Sequence, residues 1–211
     1  MALYPIGPPK EPALSALRSL ASAGTKRWLM LLNGLAAGYL GLAFVAPMLA
    51  AAGRPDLAGA IYALYGMFCH EWPFRSYFLF GPQIVYSADQ LCALGIPSVY
   101  SFHGSSQLGY EVAFCARDVA LYGSVLLTGI AYALRRSTRP LAVRAFLLLA
   151  APMALDGLTQ LVGWRESTWE LRTLTGFLFG LGFVWLVYPR LDAAIGPSCV
   201  PATRPAGARE A

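Results

Sequence analysis

Charge is what this sequence has least of. Of its 211 residues only 13% are Asp, Glu, Lys or Arg, against a usual globular share of roughly 25%. A soluble domain of this size needs a charged skin, and a chain that is 57% apolar lacks the residues to build one. A disordered chain, a coiled coil and an ordinary cytosolic enzyme are thereby excluded. Histidine is scarcer still, with two in the chain, so a bis-histidine haem would have to take both. Gly-x-Ser-x-Gly, His-Glu-x-x-His, a phosphate loop and Cys-x-x-Cys are all absent. With them go the usual signatures of ester hydrolysis, zinc proteolysis, nucleotide cleavage and thioredoxin-type exchange. The net charge of +5 would suit nucleic acid. The positive residues, however, sit in short clusters between long apolar runs, which is a membrane pattern, and no nucleic-acid partner is expected.

What the chain does have is long stretches nearly free of charge. A helix needs about 20 apolar residues to cross the hydrocarbon core. Trp28 to Gly53 carries no charge, and Thr173 to Pro189 carries none. Ala145 to Trp164 carries one, Asp156, and Val112 to Leu134 carries the adjacent pair Arg117 and Asp118. The spacing predicts an all-α membrane protein with four transmembrane helices at about 28–51, 112–134, 145–164 and 170–189. A fifth apolar run is too short to cross. Leu57, Ile61, Leu64, Tyr65 and Phe68 follow helical spacing, so a short outer interfacial helix is expected over 56–69, followed by an irregular outer loop over 70–111.

The membrane domain thus covers 28–189. The Pro-rich segment 1–27 and the tail 190–211 are expected to be loosely ordered. The first span is far longer than the core of a cleaved signal peptide, about 7–15 residues, and reads as a retained anchor. Eleven Lys and Arg residues fall on one side of the spans, in the N-terminal segment, the loop around Arg135 to Arg144 and the tail. Four fall on the other: Arg54, Arg75, Arg165 and Arg172. The positive-inside rule then puts both termini in the cytoplasm and residues 54–111 outside a cell membrane that the chain crosses several times. Two Gly-x-x-x-Gly spacings, Gly34/Gly38 and Gly176/Gly180, lie inside spans and are read as helix-packing positions.

Ionisable groups inside a span are costly, which makes them functional candidates. Here they collect at one level, near the outer end. Cys69 and His70 end the short outer helix, with Arg75 just beyond. Cys115 and Asp118 are three residues apart on one face of the second span. Asp156 and Gln160 are one turn apart on the third, and Arg172 opens the fourth. A thiolate, an imidazole and a carboxylate together make a transition-metal ligand set, although the spacing is that of no zinc knuckle. His103 reads as an ordinary loop histidine.

Four blocks carry a resemblance: CHEWPFRS (Cys69–Ser76), CARDVALYGS (Cys115–Ser124), LDGLTQLVGWREST (Leu155–Thr168) and LRTLTGFLFG (Leu171–Gly180). In this order they resemble domain-of-unknown-function family 2085, a family of small prokaryotic membrane proteins. The resemblance implies architecture and carries no activity with it. The family pattern has Gln and Cys where this chain has Glu71 and Asp118, so a Cys, His, Cys, Cys set becomes Cys, His, Cys, Asp.

The expected function is therefore binding of a zinc-like divalent metal by Cys69, His70, Cys115 and Asp118, with Asp156, Gln160, Arg172 and Arg75 supporting those ligands. Two alternatives stay open. Cys69 and Cys115 would make a thiol–disulfide pair on the oxidising side. Otherwise the polar cluster only locks the bundle of a structural or assembly subunit. The expected partners are the lipid bilayer and another membrane protein or a second copy of the chain, and enzymatic activity is undecided.

Overall fold

A computed structural model describes residues 11–68, 72–96, 102–136 and 139–195, with side chains described from residue 27 onward. Cys69, His70 and Glu71 lie outside the described residues, as does the tail from residue 196.

Helix α1 runs from Glu11 to Ala51, so the chain is already helical through 11–27, where a loose segment was expected. Its apolar part, Arg27–Ala51, is long enough to span a bilayer, yet only 17% of that stretch is buried. Leu31, Leu35 and Met48 point outward with nothing over them. Apolar exposure on this scale is a liability in water and the normal state of a helix in lipid. Helix α2 (Pro55–Gly66) follows after a turn at Gly53, where φ is +73°. Pro55 at its first position and Asp56 in its first turn favour a start there. This is the short helix that the spacing predicts.

The next segment departs from expectation. In place of an irregular loop, the described residues 72–96 and 102–115 form a 3₁₀ turn at Pro73–Arg75, strand β1 (Ser76–Leu79), helix α3 (Ala88–Ala93), strand β2 (Gly104–Ser105) and strand β3 (Gly109–Cys115). The sheet is antiparallel, in the order β1-β3-β2. The protein is thus mostly helical but not all-α. The expected second span also starts too early, at 112, because residues 112–115 belong to β3. A short apolar run such as Val-Ala-Phe-Cys suits a strand or a helix equally. The strand is chosen here by its neighbours. Gly109 turns with φ +83° against the backbone of Leu79 and Gly81, an approach that a Cβ would block at 2.4 Å. Ser76 then pairs with Cys115, and Phe78 with Glu111.

Helix α4 (Ala116–Arg135) begins directly at the end of β3. Helices α5 (Val143–Leu161) and α6 (Trp169–Ile195) complete the bundle. Among the described residues, α1 and α6 are the helices long and apolar enough to cross a membrane by themselves. Helices α4 and α5 are shorter, at 20 and 19 residues, and carry the polar groups.

Two apolar clusters tie the bundle at its ends. Ala43 and Ala46 of α1, Tyr62 and Tyr65 of α2, and Val112 and Phe114 of β3 pack at the sheet end. Leu29, Tyr132, Val184 and Tyr188 pack at the opposite end. There Asp192 accepts hydrogen bonds from Trp28 Nε1 at 3.2 Å and the Tyr132 hydroxyl at 2.7 Å. The most extensive helix pair is α4 with α6, and the second Gly-x-x-x-Gly makes it possible. A Cβ on Gly176 would lie 2.4 Å from the Arg117 carbonyl oxygen, and one on Gly180 would lie 2.5 Å from that of Leu121. The first motif is different: Gly34 and Gly38 would meet nothing within 4 Å.

Gly176→Ala is therefore expected to push α6 off α4 at a cost of about 1–3 kcal/mol. Gly34→Ala is expected to be neutral or slightly stabilising, since glycine inside a helix costs about 0.5–1 kcal/mol relative to alanine. Thermal melting of the two variants in detergent checks this, and equal effects would contradict the packing.

Candidate functional site

The ends of α4, α5 and α6 that meet the sheet hold nearly all the charge inside the bundle. Helix α5 brings Asp156 to this level, where it is 2% exposed. A carboxylate so buried is tolerated only with partners on all its lone pairs. Arg117 of α4 donates to Asp156 Oδ2. Arg165 donates to Oδ1 at 2.7 Å, and Ser167 donates to Oδ2 at 2.9 Å. Gln160, one turn along α5, donates to the same Oδ2 at 3.1 Å. Gln160 in turn accepts from Arg172 of α6, which is 3% exposed. Arg172 also lies 3.6 Å from Glu166, both of whose carboxylate oxygens accept from Arg75 Nη2, at 2.6 and 2.8 Å. The Arg75 guanidinium sits over the Trp72 ring at 4.6 Å. One network therefore joins α4, α5, α6 and the segment before β1.

Asp156 and Gln160, placed one turn apart by the sequence, bond to each other, and Arg117 reaches Asp156 from α4. Arg172 donates to Gln160 and lies near Glu166. The segment Arg165–Ser167 reads from sequence as a simple turn, and it proves to be part of the network.

Cys115 and Asp118 meet as their spacing predicts. Cys115 caps α4 with extended backbone, and its Sγ donates to Asp118 Oδ2 at 3.3 Å. Both line a cavity of about 520 Å³ whose polar wall also includes Arg75, Arg117, Gln160 and Arg172. Phe68, Met153 and Leu161 form its apolar part. Among the described residues no three His, Cys, Asp or Glu side chains come together in a form that holds a metal. Cys69 and His70 lie outside the described residues.

A second buried charge lies further along β3. Glu111 is fully buried, and its Oε1 is 2.8 Å from His103 Nδ1. The His103 ring stacks on Tyr62 with centroids 4.0 Å apart, and the Tyr62 hydroxyl donates to the Glu111 carbonyl at 2.7 Å. His103 is thus no ordinary loop residue. The signal for it is Glu111, the one charge in the otherwise apolar run Val112–Phe114 and its strand. Burial pushes the Glu111 carboxyl above its ordinary value, and the His103 contact and a Ser76 hydrogen bond only partly offset this.

Two consequences follow from these buried acids. Asp156→Asn leaves Arg117 and Arg165 without their carboxylate, and removing one partner of a buried pair costs about 3–5 kcal/mol. Denaturation of the variant in detergent measures it, and an unchanged midpoint would contradict the central role of Asp156. For Glu111 the sign follows from its raised value. Its favourable contribution is complete below the ordinary 4.5 and fades as pH rises through the folded value. The stability advantage of the wild type over Glu111→Gln should therefore shrink as pH rises from the ordinary 4.5 through the folded value and then level off. An advantage that grows with pH would mean that the folded state favours the ionised acid.

The comparisons with known proteins fit this architecture. The family described as "Predicted membrane protein (DUF2085)" matches residues 102–186, from Phe102 through the α5–α6 turn into α6. An "Uncharacterized protein MJ1492" of Methanocaldococcus jannaschii is 31% identical over 172 residues, which cover 78% of this chain and 92% of the relative. No solved structure matches. With that extent of likeness to the relative, and with Arg117, Asp156 and Arg172 all inside the matched segment, the chain belongs to the DUF2085 family of predicted membrane proteins.

Proposed function

We propose that the protein crosses the cell membrane four times, with both termini cytoplasmic, and binds a zinc-like divalent metal at its outer end. The ligands are Cys69, His70, Cys115 and Asp118. The observation that carries the reading is the Cys115–Asp118 contact on the wall of the polar cavity. Two ligands of one tetrahedral zinc, at the usual Zn–S and Zn–O distances of about 2.3 and 2.1 Å, stand about 3.6 Å apart. The observed 3.3 Å needs little adjustment. Phe68 and Arg75, on either side of the Cys69–Glu71 segment, border the same cavity, which supports drawing Cys69 and His70 into the ligand set.

Charge supports it as well. Two thiolates and a carboxylate around a divalent cation leave one net negative charge, and Arg75, Arg117 and Arg172 are at hand to offset it. Asp156 and Gln160 hold two of those arginines in place. The four-span reading draws on the polar faces of α4 and α5, which pack on α6 within the bundle, while Leu127, Leu134, Leu148 and Leu161 face outward.

Elemental analysis of the purified protein in detergent is the test. The wild type is expected to hold stoichiometric metal, and Cys115→Ser and Asp118→Asn should each lose most of it, with their helical content intact. Metal-free wild type, or a Cys69–Cys115 crosslink seen as a mobility shift on non-reducing gels, would overturn the reading.

A further inference from the structure

The cavity at the sheet end has a composition that a cation site alone does not call for. Three guanidinium groups line it, from Arg75, Arg117 and Arg172, and among the described residues its wall carries one carboxylate, Asp118. That carboxylate is engaged by Cys115. The acids behind the wall are also committed. Asp156 already accepts from Arg117, Arg165, Gln160 and Ser167. Glu166 is shared between Arg75 and Arg172 and is itself largely exposed. Among the described residues, two of the three lining arginines, Arg75 and Arg117, keep a buried Nε–H with no acceptor. Burying such donors without a partner costs free energy, and the cavity that these arginines border has room for an acceptor.

We propose that this cavity binds a phosphate group through Arg75, Arg117 and Arg172. Guanidinium groups present planar forks of donors that match oxyanions bidentately, and with five N–H groups each the three arginines have donors beyond their bonds to Asp156, Glu166 and Gln160. A phosphate offers more acceptor oxygens and more charge. The rim is apolar: Phe68 and Leu161 are strongly exposed at the mouth, and Met153 lies beside them. A phosphate carried on acyl chains places its headgroup on the arginines and its chains against this rim. A free phosphate uses the arginines alone. The proposal goes beyond the metal reading and does not need it, because the arginines face the cavity whether or not the thiols hold an ion.

The test uses the full chain in a non-ionic detergent, with inorganic phosphate, phosphatidate and phosphatidylcholine as probes. Binding is read by native mass spectrometry and by the rise in melting temperature. Phosphatidate is expected to bind saturably, and phosphatidylcholine, whose headgroup is neutral overall, is expected to bind far more weakly. Arg75→Gln should weaken phosphatidate roughly tenfold to a hundredfold, the value of one or two charge-assisted hydrogen bonds. Glu166→Gln releases Arg75 and Arg172 from their internal acid and should tighten binding several-fold. Arginines that serve only to hold the bundle predict the reverse, since that variant would then only loosen them. Inorganic phosphate binding as well as phosphatidate assigns the site to a soluble phosphate, and binding by the lipid alone assigns it to a headgroup. Failure of both probes, or affinity unchanged in Arg75→Gln and reduced in Glu166→Gln, overturns the proposal. Repeating the phosphatidate titration after chelation separates this result from the metal reading: persistence of binding without metal supports an independent site, and its loss with the metal overturns that independence.

Discussion

The carboxylate of Asp156 is the constraint on which the rest of the bundle depends. It sits on α5, yet its partners come from α4, from the α5–α6 turn and from α5 itself. In an apolar surrounding an ionised acid must either lose its charge or gather donors. Gathering them fixes where α4 begins, how the turn at Arg165–Ser167 folds back, and through Gln160 where Arg172 lies. Arg172 and Arg75 share Glu166, so the same chain of contacts reaches the segment before β1. A buried ion pair gives no guarantee of stability, since desolvation offsets much of the attraction. What it does give is geometry: the Asp156 carboxylate holds α4, α5 and the α5–α6 turn in one relation to each other.

That arrangement places a cavity between the helix ends and the sheet. The sheet is small, but it carries Cys115 to the first residue of α4 and buries Glu111 under α2. Strand and helix meet at Cys115 without a loop, so the thiol and the first-turn carboxylate of Asp118 are held by two elements at once. The close α4–α6 approach at Gly176 brings the Arg117 backbone within reach of α6. The metal and phosphate readings both draw on this one feature, a polar space walled by the helix ends and the segment before β1.

Much of this was legible in the residues. Charge-free runs gave α1 and α6, and apolar spacing gave α2 close to its true limits. Asp156, Gln160, Arg117 and the Cys115–Asp118 pair stood out because polar groups inside apolar runs are expensive. The sheet did not stand out. Val112–Cys115 is too short and too uniformly apolar for periodicity to separate strand from helix, and the pairing that decides it comes from Ser76 and Phe78, more than thirty residues earlier. Glu111 and His103 were hidden for the same reason, since their contact exists only once β2 and β3 pair. Arg165 and Ser167 looked like turn residues because a turn is where they are. Their role depends on Asp156, one helix end away.

The central claim is the proposal that Cys69, His70, Cys115 and Asp118 surround a metal, and X-ray absorption at the metal edge of the purified, detergent-solubilised protein tests it most directly. The account predicts a first shell of two sulfur scatterers at about 2.3 Å with nitrogen or oxygen scatterers at about 2.0–2.2 Å, the distances of a four-coordinate zinc with thiolate, imidazole and carboxylate ligands. A shell of oxygen and nitrogen without sulfur, or no edge signal at all, would contradict it.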